Sequence, residues 1–109
     1  HYMLYEDSIA IKYYSKAIEM AKETNHENLA IFYKNFGGVL FETKDTINGI
    51  KYLKMSLKLD QIKNDTYLKF SNLTALAEIY SYSHQNDSAL VYYQNAEKNY
   101  KYIFHCCFF

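Results

Sequence analysis

Proline is absent from this 109-residue chain, and glycine occurs only three times. The first absence removes the strongest helix breaker, and the second leaves few positions suited to left-handed turns. Tryptophan is also missing, and the two cysteines are the neighbours Cys106 and Cys107. A bond between adjacent cysteines would strain the backbone and staple no loop, so no disulfide framework is expected and a reducing compartment is favoured. Net charge is lacking as well: 12 basic and 12 acidic residues cancel and are scattered along the chain. That leaves no basic stripe of the kind that binds nucleic acid or an anionic membrane. No run approaches the roughly 18–20 apolar residues of a membrane span, and His1-Tyr2-Met3-Leu4 lacks the basic region and apolar stretch of a signal peptide.

What the chain does have is apolar and aromatic bulk, half of its residues, with 13 Tyr and 7 Phe. Such a composition predicts a folded, mostly helical protein. Ala10, Tyr13, Tyr14, Ala17 and Ala21 fall on one face of a helix over residues 8–23. Thr24 and Glu27 have capping-box spacing and predict a second helix over about 26–43, with Ile31 or Phe32, Phe36, Val39 and Leu40 inward. A third helix is expected over about 46–61 (Ile50, Leu53, Leu57). A fourth is expected over about 66–83 (Leu73, Leu76, Ala77, Tyr80), and a fifth follows with Ala89, Tyr93, Ala96, Tyr100 and Ile103 inward. Asp7, Asp45, Asp65 and Asp87 sit at helix starts, where a carboxylate complements the helix dipole. Apolar–polar alternation never persists over a whole segment, so strands are not expected. Short connections imply antiparallel helical hairpins.

The helices repeat one another. Ala10, Gly49 and Ala89 are 39 and 40 residues apart, and Tyr14, Leu53, Tyr93 and then Ala17, Ser56, Ala96 follow in the same register. A small residue beside a large one at this period marks stacked units in which small positions let helix axes approach. Gly37 and Ala77 are expected at such crossings. Ala89-x3-Tyr93-x2-Ala96, Ala10-x3-Tyr14-x2-Ala17 and, more loosely, Gly49-x3-Leu53-x2-Ser56 resemble the second helix of a tetratricopeptide repeat. Asn35-Phe36-Gly37-Gly38-Val39-Leu40 and Leu76-Ala77-Glu78-Ile79-Tyr80 resemble its first. The resemblance implies an all-α, right-handed superhelical stack of antiparallel helix pairs, about two and a half repeats with boundaries near 1–24, 25–64 and 65–104. The period exceeds the family's usual repeat of about 34 residues, which predicts lengthened second helices, and the family's proline is missing. Long variants of this kind resemble those of bacterial regulatory and sensor proteins.

In that family the first helices line a concave groove. Carried over by position, Ile31, Lys34, Asn35, Gly38, Phe41 and Glu42 fall on the inner surface, with Ser71, Thr74, Glu78, Ser81 and Tyr82 from the next unit. Lys34 and Asn35 would pair with a carboxylate or peptide backbone, Gly38 would let that backbone approach, and Phe41 and Tyr82 would add apolar contact. Asn35 is matched by Ala75, so the carboxylate clamp of chaperone-binding members is not reproduced. Most of the tyrosines named, Tyr13, Tyr14, Tyr80, Tyr92 and Tyr93, are expected to pack between helices.

His105-Cys106-Cys107 lacks metal-ligand spacing, and no phosphate loop, serine elbow or nucleophile–base arrangement is present. No catalytic residue, cofactor or metal is therefore expected. The function expected is a non-enzymatic scaffold that binds a peptide or partner domain. The alternative is a ligand-responsive regulatory module joined to a signalling or DNA-binding output domain. The chain starts and stops inside its repeat, so it reads as an excerpt of a longer protein, with cytoplasmic location favoured unless further sequence carries a signal or anchor. Self-association through the exposed terminal units and the aromatic C-terminus is expected.

Overall fold

The computed structural model describes the backbone of residues 2–24, 28–59 and 65–108, and the side chains of residues 8–24, 28–59 and 65–99. These residues form five helices: α1 (Tyr2–Thr24), α2 (Leu29–Glu42), α3 (Thr46–Lys58), α4 (Thr66–Tyr82) and α5 (Asn86–Phe108). Each packs on its neighbour in sequence, most extensively within the pairs α2/α3 and α4/α5, and α2 also touches α4. The molecule measures 45 × 37 × 21 Å. Its least dimension is about two helix diameters, so the helices lie in two layers.

The two hairpin turns have the same hydrogen bonds, 40 residues apart. In the first, Thr43, Lys44 and Asp45 donate their backbone N–H groups to the carbonyls of Val39, Phe41 and Leu40. In the second, Ser83, His84 and Gln85 donate to those of Ile79, Ser81 and Tyr80. Each turn passes through a left-handed residue, Lys44 at φ 73° and His84 at φ 62°, a conformation that glycine adopts more cheaply. The periodicity in the sequence is therefore also a periodicity of backbone geometry.

Local starts and stops follow from capping chemistry. Asp45 and Asp65 accept hydrogen bonds from the N–H groups of Asn48 and Leu68, which lack intrahelical partners. Thr24 does not cap α2, as its spacing to Glu27 had suggested. It is the last residue of α1 and its hydroxyl donates to the Met20 carbonyl at 3.1 Å, while Asn28 occupies the N-cap of α2. Asp7 lies inside α1 rather than at its start, and Asp87 lies in the first turn of α5. α3 is also shorter than expected: its 13 residues end at Lys58, and Leu59 is extended (ψ 143°). The lengthened second helix expected for that unit is thus not formed by α3, whereas α1 and α5 each run to 23 residues.

Two apolar clusters hold the layers together. One joins Ile18 and Ala21 of α1 to Leu29, Tyr33, Phe36 and Leu40 of α2. The other joins Leu53 of α3 to Leu76, Ile79 and Tyr80 of α4 and Ala89 of α5. Between α2 and α3 the backbones nearly touch: a Cβ on Gly37 would lie 2.8 Å from the Gly49 carbonyl oxygen, and one on Gly49 would lie 2.9 Å from that of Gly37. Their counterparts Ala77 and Ala89 are both buried in the α4/α5 pair.

A polar junction crosses three helices at the boundary between the clusters. Ser56 of α3 donates to the Ala30 carbonyl of α2 at 2.7 Å and accepts from the Asn72 amide of α4 at 3.1 Å. The Asn72 amide also donates to the Leu68 carbonyl at 3.1 Å, but its buried Oδ1 has no partner. Ser56→Ala is expected to cost about 1–3 kcal/mol, because two buried hydrogen bonds vanish and the amide stays desolvated. Adding Asn72→Leu, which removes the remaining polar group, is expected to recover most of that loss in urea unfolding.

Candidate functional site

The cleft of interest forms where α2 and α4 lie side by side. Phe41 and Tyr82, at the C-terminal ends of these helices, meet edge-on with ring centroids 5.7 Å apart and planes at 87°. The two helices therefore run in the same direction, and the cleft between them encloses about 490 Å³. One wall is Lys34, Asn35, Gly38, Val39 and Glu42; the other is Phe70, Ser71, Thr74, Ala75 and Glu78. Tyr14 and Leu53 form the rest of the lining. Helical spacing explains the walls, since positions three and four apart recur on one face.

Of the residues assigned to an inner surface from sequence, Lys34, Asn35, Gly38, Glu42, Ser71, Thr74 and Glu78 line this cleft together. The other four, Ile31, Phe41, Ser81 and Tyr82, do not, and Ser81 is exposed outside it. Ile31 is exposed near the start of α2. Phe41 turns toward the second apolar cluster, and the exposed Tyr82 rests against its edge, so this pair closes the C-terminal end rather than lining the interior. Sequence reasoning omitted Tyr14, Val39, Leu53, Phe70 and Ala75. Val39, Phe70 and Ala75 stand beside named positions on α2 and α4, so the helical wheel contained them; Tyr14 and Leu53 come from α1 and α3 and required the packing.

The cleft is polarised. Lys34 lies two turns before Glu42 on α2, about 12 Å along the axis at 1.5 Å per residue. Glu78 occupies the register position of Gly38 in the repeat and adds a second carboxylate on the facing wall. Between the charged ends, Gly38 leaves open space: a Cβ there would meet nothing within 4 Å. The Thr74 hydroxyl is engaged by the Phe70 carbonyl of its own helix at 2.8 Å. Asn35 and Ser71 thus supply polar contact beside a floor of Tyr14 and Leu53.

No protein-family model matches the chain, and neither does any curated protein or solved structure. The family named by resemblance is thus not identified by comparison, and function is read from the cleft.

Other chemistry is sparse. No group of three or more His, Cys, Asp or Glu able to hold a metal ion occurs among the described residues, and no helix among them is long and apolar enough to cross a membrane. The side chains of His105, Cys106 and Cys107 and of the aromatic C-terminus lie outside the described residues. Lys54 of α3 reaches the aromatic pair of the second hairpin: its Nζ is 5.7 Å from the Tyr80 ring centroid, and Tyr80 stacks on Tyr92 at 5.5 Å. A hydrogen bond to Tyr80 raises the Lys54 ammonium above the ordinary lysine value, against partial desolvation. The folded chain thus holds this proton more tightly than the unfolded one. The stabilisation is full below about pH 10.4 and is lost as pH rises through the raised value.

Proposed function

We propose that this chain is a protein-interaction module, built like tetratricopeptide repeats, whose α2/α4 cleft holds an extended segment of a partner protein. The observation that carries the reading is the cleft itself: two parallel helices with an open glycine wall, an apolar floor and opposite charges at its ends. An open face of this kind suits a peptide backbone, which needs room to approach and polar groups to meet its N–H and C=O groups. The repeat reading is supported by the two turns with matching hydrogen bonds 40 residues apart and by the close crossing of Gly37 and Gly49.

The charge pattern defines the preferred segment. An acidic residue would sit at Lys34 and a basic one at Glu42, with Glu78 on the facing wall adding to the attraction for the basic residue. The distance of about 12 Å corresponds to about four residues of extended chain at roughly 3.3 Å each. Selection from a random peptide library on the immobilised full chain is expected to enrich peptides with an acidic and a basic residue about four positions apart. Lys34→Glu and Glu78→Lys are each expected to weaken the selected peptides about tenfold, and compensating charge changes in the peptide are expected to restore binding. Selected peptides indifferent to both substitutions would refute the cleft as the binding site.

A further inference from the structure

A second cavity, of about 340 Å³, lies where α1, α2 and α3 meet and shares no residue with the α2/α4 cleft. Ile18 of α1, Phe36 of α2 and Tyr52 of α3 give it an apolar surface, and Ser15, Glu19, Lys22 and Glu23 of α1 give it a polar one. The Phe36 and Tyr52 rings meet with centroids 4.7 Å apart and planes at 58°. Glu19 and Glu23 are exposed and stand one turn apart, so their carboxylates lie on one side of the helix. Carboxylates beside aromatic rings attract a cation, because the face of a ring carries the negative part of its quadrupole.

The next unit shows what the equivalent place receives. In the repeat register Ser15 corresponds to Lys54, Glu19 to Lys58 and Tyr52 to Tyr92. The Lys54 Nζ is seated 5.7 Å from the centroid of Tyr80, whose ring stacks on Tyr92 at 5.5 Å. There the chain supplies the ammonium group itself. In the first unit the same helix position bears only the short hydroxyl side chain of Ser15, and a carboxylate replaces Lys58. The rings of this unit also draw ammonium groups: the Nζ of Lys22 is 5.8 Å from the Tyr33 centroid, and that of Lys51 is 5.9 Å from the Tyr52 centroid. Lys51 is not part of the cavity lining, and the single charge of Lys22 is outnumbered by the two carboxylates.

We infer that the cavity between α1, α2 and α3 binds an alkylammonium ion, whether a free amine or the end of a partner's lysine side chain. Glu19, Glu23 and the Tyr52 ring hold its charge, and Ile18 and Phe36 hold its alkyl chain. The inference is independent of what the α2/α4 cleft binds.

The test titrates the full chain with n-butylammonium and follows the side chains by NMR. Saturable shifts are expected at Ile18, Phe36 and Tyr52, and n-butanol, of similar shape without the charge, is expected to bind at least about tenfold more weakly. Glu19→Gln/Glu23→Gln is expected to weaken n-butylammonium at least about fivefold. Ser15→Lys, which supplies the ammonium group from the chain as Lys54 does, is expected to abolish saturable binding. All three substituted positions are exposed, and the same spectra report whether each variant is folded. Lysine blocked at both backbone ends, titrated in parallel, separates the sources: tighter binding than n-butylammonium assigns the site to a partner's lysine, and weaker binding assigns it to a free amine. Absence of saturable shifts at these residues, equal binding of n-butanol, or binding indifferent to both variants would overturn the proposal.

Discussion

Gly37→Ala is expected to lower the stability of this chain by about 1–3 kcal/mol, while Gly38→Ala, one residue on, raises it by about 0.5–1 kcal/mol. Alanine is the better helix former at both positions, so helix propensity alone predicts stabilisation twice. Packing separates them. A methyl at Gly37 would lie 2.8 Å from the backbone carbonyl of Gly49 and 2.9 Å from Leu53 Cγ, and a carbonyl held in a neighbouring helix does not rotate away. At Gly38 the same methyl meets nothing within 4 Å. At about 4–8 °C per kcal/mol for a domain of this size, the two variants should melt on opposite sides of the wild type. Equal shifts of the same sign would mean that α2 and α3 do not cross at these glycines.

Leu53→Ala is expected to cost more, about 2–5 kcal/mol, a large part of the stability of a domain with a total near 5–15 kcal/mol. Leu53 is fully buried, closes over Gly37, belongs to the cluster that joins α3 to α4, and forms part of the cleft lining. Its loss opens a cavity between three helices that have little freedom to collapse. Tyr93 holds the same register position on α5 but is 43% exposed, and Tyr93→Ala is expected to cost about 1 kcal/mol or less. Urea unfolding of both variants measures the contrast; similar losses would contradict the layering of α4 over α3.

The same pair shows how far the sequence could be read. Register identified the small residues at the crossing, the turn positions and most of the cleft walls, because a helix projects its side chains at a fixed angular period. It did not distinguish Tyr13 and Tyr93, both exposed, from Tyr14 and Tyr80, which pack, although all were expected between helices. A helix face is buried only when another helix lies on it, and periodicity describes the face without its cover. The Ser56–Asn72 junction had one visible signal: a hydroxyl in a register held by Ala17 and Ala96, which implies a buried partner. Its partner lies 16 positions away in sequence on another helix, and only packing names it. The Thr24 spacing misled because a threonine near a helix C-terminus can satisfy its hydroxyl on a carbonyl one turn back.

Gly38 also provides the most direct test of the binding cleft. Gly38→Phe fills the open wall between Lys34 and Glu78 without entering the α2/α3 crossing, so the melting temperature should not fall. Titrated with the tightest peptide selected on the wild-type chain, this variant is expected to show a Kd raised at least about tenfold. An unchanged Kd in a chain that melts like the wild type would contradict the assignment of the α2/α4 cleft as the surface that binds.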